Sequence, residues 1–262
     1  MTGFDLSGKT AIVTGGGAGI GRVLALGLAA HGARVAIADL DPARAGRVAG
    51  EIGADALAVS GDVCRPDDVD RLFAATLERF GSIEILVNNA GGLRGRGATV
   101  DVSLDDWRAT FDLCVTSAFL CSQRAGRWMI ANGGGSIVNI ASIYGMLGYD
   151  TGFYDPLPEG GQPESLAYSA AKGAMIAMTR TLAAYWGTHN IRVNAIAPGP
   201  TKTERLGAAI DSQVWDRFAA RTVLNRAGTP DDLTGAAIYL ASDASSFMTG
   251  QVLAIDGGWT AW

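Results

Sequence analysis

Tyr168-Ser169-Ala170-Ala171-Lys172 sets a phenol and an ammonium four residues apart, and Ser142 stands upstream of them. On a helix, positions four apart share a face. A phenol alone is a poor base near neutrality, because its pKa is about 10. Bringing it to about 7 takes roughly three units, or about 4 kcal/mol. One ammonium about 4 Å away, at an effective dielectric of about 20, supplies roughly that much. Lys172 can therefore make Tyr168 a usable acid/base. Chance produces Tyr-x-x-x-Lys often. What gives it weight is Thr14-Gly15-Gly16-Gly17-Ala18-Gly19-Ile20-Gly21, about 150 residues earlier.

That glycine run follows an apolar stretch, Thr10–Val13, and leads into a helical pattern over Arg22–His31 ended by Gly32. A helix N-terminus offers free N–H groups and the positive end of its dipole to a pyrophosphate, and glycine lets the backbone approach it. The spacing Gly15, Gly19, Gly21 departs from the strict Gly-x-Gly-x-x-Gly. The next apolar run, Arg34–Ala38, is followed by Asp39, eighteen residues after Gly21. A carboxylate there hydrogen-bonds an adenosine ribose diol and repels a 2′-phosphate. Gly17 and Leu40 provide no arginine to receive that phosphate, so the expected cofactor is NAD(H) rather than NADP(H).

The elements that must position these groups alternate along the chain. Further strands are expected at Ala56–Val59, Ile83–Val87, Ser136–Ile140, Ile191–Ile196 and Val252–Ile255. Helices are expected at Pro42–Ile52, Pro66–Phe80, Asp105–Ala131, Ala167–Trp186 and Asp231–Ala241. Strands rich in Val, Ile and Ala between helices imply a parallel sheet covered on both faces. No linker or internal repeat appears, so residues 1–262 read as one doubly wound α/β domain.

The balance of 21 basic against 26 acidic residues, with no basic cluster, excludes nucleic acid and anionic membrane as natural partners. No apolar run reaches the roughly 18 residues of a membrane span, and the first residues carry no leader pattern. A soluble, cytoplasmic protein is expected. The three cysteines, Cys64, Cys114 and Cys121, show no paired spacing, and His31 and His189 lie far apart, so neither a disulfide framework nor a metal site is expected.

Taken together, Thr14-Gly15-x-x-x-Gly19-Ile20-Gly21, Asp62-Val63, Asn88-Asn89-Ala90-Gly91, Ser142, Tyr168-x-x-x-Lys172, Asn194 to Gly199 and Asp256-Gly257-Gly258 resemble the short-chain dehydrogenase/reductase family over nearly the whole chain. The resemblance implies a Rossmann-type fold with a seven-stranded sheet and a homotetramer. It implies that Asp62 and Val63 hold adenine and that Asn89, Ala90 and Gly91 line the adenosine side. Pro198, Gly199, the Thr201 backbone and the Thr203 hydroxyl would fix the nicotinamide carboxamide. Ser142 would orient the substrate oxygen, Tyr168 would exchange the carbinol proton, and Lys172 would lower the tyrosine pKa and bind the nicotinamide ribose.

One residue departs from the family pattern. Relatives place an Asn seven residues after a Trp in the long helix, where it supports a water relaying protons to the lysine. Seven residues after Trp107 stands Cys114, whose thiol is a weak hydrogen-bonding group. Either Cys114 only packs there, or the relay is altered.

On the substrate side, Ser142 and Tyr168 are 26 residues apart, about twice the spacing in relatives. Residues 148–165 thus resemble an insertion, and its prolines and glycines exclude a regular element. It begins and ends near the site, so Tyr149, Phe153 and Tyr154 are candidate substrate contacts; a surface ornament or subunit contact is the other reading. Residues 201–226, anchored by Leu206, Trp215 and Phe218, are the expected lid. Arg94 and Arg96 either meet an anionic substrate or form a solvated loop face.

The leading expectation is an NAD-dependent dehydrogenase of a secondary alcohol, with a sugar, sugar acid, polyol or hydroxy acid as small-molecule substrate. The alternatives are a 3-oxoacyl carrier-protein reductase and a non-catalytic NAD(H)-binding module.

Overall fold

The computed structural model describes residues 3–94, 99–154 and 166–262. Its frame is one parallel sheet in the order β3-β2-β1-β4-β5-β6-β7. The strands are β1 (Thr10–Thr14), β2 (Arg34–Asp39), β3 (Ala56–Ser60), β4 (Ile85–Asn88), β5 (Gly135–Ile140), β6 (Ile191–Pro198) and β7 (Val252–Ile255). From β1 the order runs one way to β3 and the other way to β7. A crevice must therefore open at the carboxyl ends of β1 and β4. This is the doubly wound α/β fold expected from the alternating pattern, with the Rossmann-type seven-stranded sheet that the family resemblance implies.

Strand periodicity sorts side chains between the two faces. Ala11, Val13, Ile85, Val87, Val138 and Ile140 face one core. They meet Leu24 and Leu28 of α1 (Gly19–Ala30), Ala45 and Val48 of α2 (Pro42–Ile52) and Leu240 of α10 (Thr234–Ala241). Ile12, Leu86 and Ile137 face the other core. There they meet Val69 and Leu72 of α3 (Pro66–Phe80), Ala125 and Met129 of α5 (Ser117–Ala131) and Ala183 of α7 (Leu166–Trp186). Leu24, Leu28, Ile12 and Leu86 are fully buried, each contributing about 1.5–3 kcal/mol.

Local chemistry fixes the helix ends. The Asp41 side chain accepts from the N–H groups of Ala43 and Arg44 and starts α2, with Pro42 in its first turn. Gly81, in the left-handed region at φ 80°, ends α3.

Four expectations need correction. Helix α1 begins at Gly19 rather than Arg22, so the glycine run itself supplies the first turn. The helix expected over 105–131 is α4 (Leu104–Phe111), a π-helical turn (Asp112–Thr116) and α5, so Cys114 sits in the widened turn. Residues 148–165 contain a short helix, α6 (Thr151–Tyr154), where none was expected. Residues 230–233 form a 3₁₀ turn before α10, because Thr229 and Asp232 make a reciprocal capping box there. The expected lid folds as α8 (Glu204–Ala209) and α9 (Ser212–Arg221). No helix among the described residues is long and apolar enough to cross a membrane.

Candidate active site

The crevice is lined first by the glycine loop. Gly15 and Gly19 have φ of 61° and 53°, in the left-handed region that glycine enters at no steric cost. A β-carbon on Gly21 would collide with the Gly15 carbonyl oxygen and with Asn89 Nδ2. Glycine there lets α1 press against the loop that feeds it. The Thr14 hydroxyl accepts from the N–H groups of Asn89 and Ala90, both at 3.0 Å. Asn89 Nδ2 donates to the carbonyls of Thr14 and Gly15 at 2.9 and 3.1 Å. These bonds lock the ends of β1 and β4 together at the mouth of the crevice. Ile20, in the first turn of α1, packs on the core beneath the loop.

Asp39 closes the far side of the loop. Its Oδ2 accepts from Gly17 N at 2.9 Å and its Oδ1 from Asp41 N at 3.0 Å. A β-carbon on Gly17 would stand 2.7 Å from Asp39 Oδ2 and 2.7 Å from Arg44 Cβ. Arg47 Nη2 donates to the Gly17 carbonyl at 3.3 Å. Gly17 and Leu40 are not the only positions from which a cation can reach this corner: Arg44 and Arg47, not expected from the sequence, stand beside it. The signal was their three-residue spacing on α2, which turns both toward the loop. Further along, Asp62 Oδ1 accepts from Cys64 N at 2.9 Å, and Val63 packs against the second core. A side-chain-free cradle, a helix N-terminus and a fixed carboxylate are the donor and acceptor set that a dinucleotide requires.

Beyond β5, the turn that follows Ser142 meets α7, which carries Tyr168 and Lys172. Ser142 is buried and caps the 3₁₀ turn Ile143–Gly145, its Oγ accepting from Tyr144 N at 3.2 Å. That contact takes one of the oxygen's two lone pairs, and the hydroxyl proton can be donated elsewhere. Lys172 is only 3% exposed; its Nζ donates to the Ile140 carbonyl at 2.6 Å and lies 5.5 Å from the Tyr168 ring centre. A β-carbon on Gly145 would lie 2.6 Å from the Lys172 carbonyl carbon. The Ser142 turn therefore rests directly on α7.

A buried polar chain that sequence reasoning missed holds α7 in place. Asn88 Nδ2 donates to Ser122 Oγ and Asn139 Oδ1, Asn139 Nδ2 donates to Thr179 Oγ1, and Thr179 donates to the Met175 carbonyl. Asn88 and Asn139 are paired across β4 and β5, and Thr179 lies two turns beyond Lys172. Only the pairing register brings these polar residues together, and single-strand patterns do not carry it.

Cys114 is fully buried. Its thiol donates to the Gly92 carbonyl at 3.4 Å and accepts from Gly92 N at 3.5 Å. A β-carbon on Gly91 would stand 3.3 Å from Lys172 Nζ and 3.7 Å from Cys114 Sγ, so the thiol faces the ammonium across Gly91. Burial, reinforced by the Asp62 carboxylate, pushes the Cys64 thiol up to about 12, and burial does the same for Cys121. Both stay protonated near neutrality.

The segment after β6 closes on the crevice. Thr201 Oγ1 donates to the Gly199 carbonyl at 2.9 Å, and Thr201 bridges to Gly228. The Thr203 hydroxyl caps α8 by accepting from Leu206 N at 3.2 Å. A β-carbon on Gly19 would lie 3.4 Å from Thr203 Cγ2, so this segment meets the glycine loop. Pro198 ends β6 beside Gly199.

Of the residues expected to touch substrate, Tyr149 and Phe153 pack into one cluster with Ile143, Trp215, Phe218 and Trp259. Tyr149 stacks on Tyr144 at 4.3 Å, and Phe153 meets Phe218 at 5.7 Å and Trp259 at 5.3 Å. Arg217 Nη2 donates to the Phe153 carbonyl at 2.7 Å and its guanidinium lies over the Phe153 ring. Phe153 is thus fastened to α9. A cleft of about 200 Å³ opens beside it, lined by Tyr144, Leu147, Asp150, Arg221 and Trp259 among others. The side chain of Tyr154, and Arg96, lie outside the described residues. Arg94 is exposed, and its backbone N–H and carbonyl are held by the Thr110 hydroxyl.

The fold and crevice define a dinucleotide-binding oxidoreductase. Residues 15–260 match a family described as enoyl-(acyl carrier protein) reductase. The chain is 40% identical over 260 residues to a 2,5-dichloro-2,5-cyclohexadiene-1,4-diol dehydrogenase of Sphingobium indicum, covering 98% of this chain and 99% of the relative. It is 38% identical over 266 residues to a 2-dehydro-3-deoxy-D-gluconate 5-dehydrogenase of Escherichia coli, covering 100% and 99%. It is similar to the crystal structure of a gluconate 5-dehydrogenase from Burkholderia cenocepacia in complex with NADP and tartrate. That likeness has a TM-score of 0.89 and 36% identity, over 100% and 98% of the two chains. The chain belongs to the short-chain dehydrogenase/reductase family and is an oxidoreductase of alcohol and ketone groups.

Proposed function

We propose that this protein is an NAD-dependent dehydrogenase of a small secondary alcohol, with a sugar, sugar acid, polyol or hydroxy acid as substrate. The observation that carries the reading is the buried Lys172 ammonium, bonded to the Ile140 carbonyl and set against the Tyr168 ring beside the Ser142 turn. Ser142 donates its hydroxyl proton to the substrate oxygen. Tyr168 takes the carbinol proton in oxidation and returns it in reduction. Lys172 favours the phenolate by its charge. Bound in the crevice, a nicotinamide dinucleotide supplies the hydride acceptor or donor.

Asp39 supports NAD, because its carboxylate is fixed by two backbone N–H groups where a 2′-phosphate would have to lie. Gly15, Gly19, Ile20 and Gly21 cradle the pyrophosphate side, Asp62, Val63, Asn89, Ala90 and Gly91 the adenosine side, and Pro198, Gly199, Thr201 and Thr203 the carboxamide. The exposed apolar side chains Phe119, Ile130, Leu166 and Tyr185 on α5 and α7 support a homotetramer. The free thiols of Cys64, Cys114 and Cys121 support a reducing, cytoplasmic setting.

The test is a reduction screen with NAD⁺ and NADP⁺ in parallel at pH 8–9 against sugars, sugar acids, polyols and hydroxy acids. Turnover of one class with NAD⁺ is expected. Turnover with NADP⁺ alone would overturn the cofactor assignment, and turnover confined to hydrocarbon alcohols would overturn the substrate class.

A further inference from the structure

Trp215 is 6% exposed, and its indole Nε1 is buried without a hydrogen-bond acceptor. Buried indole N–H groups are ordinarily paired, since leaving one unpaired costs about 1–3 kcal/mol. Trp215 belongs to α9, which packs on Ile143 next to Ser142, on Tyr149 and Phe153 of the insertion, and on Trp259 of the tail. Apart from the Tyr149 hydroxyl and the Trp259 indole N–H, these neighbours present only carbon to Trp215, and a resident water needs two to four polar partners. Lys202, on the segment joining β6 to α8, stands 5.8 Å from the Trp215 ring centre. An indole N–H with an ammonium over its ring, in the cluster that holds Ile143 next to Ser142, suits a ligand that brings its own oxygen.

We infer that the Trp215 indole N–H donates to a substrate oxygen remote from the reacting carbinol, and that this bond selects oxygen-rich substrates over hydrocarbon alcohols. The inference rests on the dehydrogenase reading above. The physical ground is an asymmetry: a buried donor left unpaired penalises a substrate without the matching oxygen, whereas apolar contact discriminates weakly.

Trp215→Phe keeps an aromatic filling and removes the donor. Its kcat/KM is measured beside the wild type on galactitol, gluconate and cyclohexanol, with NADH binding followed by fluorescence titration. The expected result is a fall of about 10- to 100-fold on galactitol or gluconate, a change below about threefold on cyclohexanol, and unchanged NADH binding. Phe218→Leu loosens the same cluster without removing a polar atom and is expected to lower all three alike. An equal change on all three substrates in Trp215→Phe, or none, overturns the inference alone. So does a wild type that prefers cyclohexanol. A wild type that binds NADH and oxidises no alcohol overturns the dehydrogenase reading, and this inference with it.

Discussion

Replacing Lys172 by Met removes one buried positive charge and keeps an unbranched chain of similar length. Lys172 Nζ lies 5.5 Å from the Tyr168 ring centre. At an effective dielectric of about 20, a unit charge at that distance favours the phenolate by about 3 kcal/mol, or about two pK units. Losing the cation disfavours the phenolate, so the limb of the kcat/KM–pH profile that reports deprotonation must move upward by about that amount. Oxidation at pH 7 should fall about 100-fold and recover toward wild type near pH 10. The assay is kcat/KM for oxidation from pH 5 to 10 at saturating cofactor, with cofactor affinity titrated separately. The substitution also leaves the Ile140 carbonyl without its donor. That costs about 1–3 kcal/mol of stability, read as a lowered Tm and separable from the pH effect. A uniform loss at every pH, with the limb unmoved, would refute the electrostatic argument and leave Lys172 as a cofactor anchor.

Three further outcomes follow from the same geometry. Asp39→Ala should weaken NADH binding and raise NADP⁺ use, because Arg44 and Arg47 already flank the Gly17 turn; unchanged cofactor preference in paired kinetics would contradict this. Cys114→Asn should change kcat by less than about tenfold, since the thiol is satisfied by the Gly92 backbone; a hundredfold rise, the size that proton-transfer catalysis carries, would show that the missing amide limits turnover. The Cys64 thiol, pushed up to about 12 by burial and Asp62, should alkylate with iodoacetamide about three orders of magnitude more slowly than free cysteine at pH 8. Its rate should rise about tenfold per pH unit, and a rate near that of free cysteine would contradict the burial argument.

Residues that state their own geometry made much of the fold legible in the sequence. The strand runs, Pro42 and Pro66 at helix starts and Gly81 at a helix end act locally, so pattern and position coincide. The α1 start differs from the expected Arg22 because the glycine run reads as loop, whereas the first turn includes Gly21, where glycine is required by the close approach to Gly15 and Asn89. The π turn at Asp112–Thr116 was invisible because it keeps helical periodicity on both sides and adds only a local widening. In the site, Tyr168 and Lys172 could be paired from helical spacing. Ile140, Gly145 and the Asn88–Asn139–Thr179 chain could not, since they meet through strand register and crossover packing. Trp215 read only as an apolar anchor, because an unpaired N–H is a property of its surroundings.

The account stands most directly on the Tyr168 phenol, and Tyr168→Phe tests it by removing one oxygen. With an alcohol that the wild type oxidises, NAD⁺ reduction by the variant should fall by about 10²–10⁴-fold while NADH affinity stays within about twofold. Retention of wild-type turnover by Tyr168→Phe, with cofactor bound normally, would contradict it.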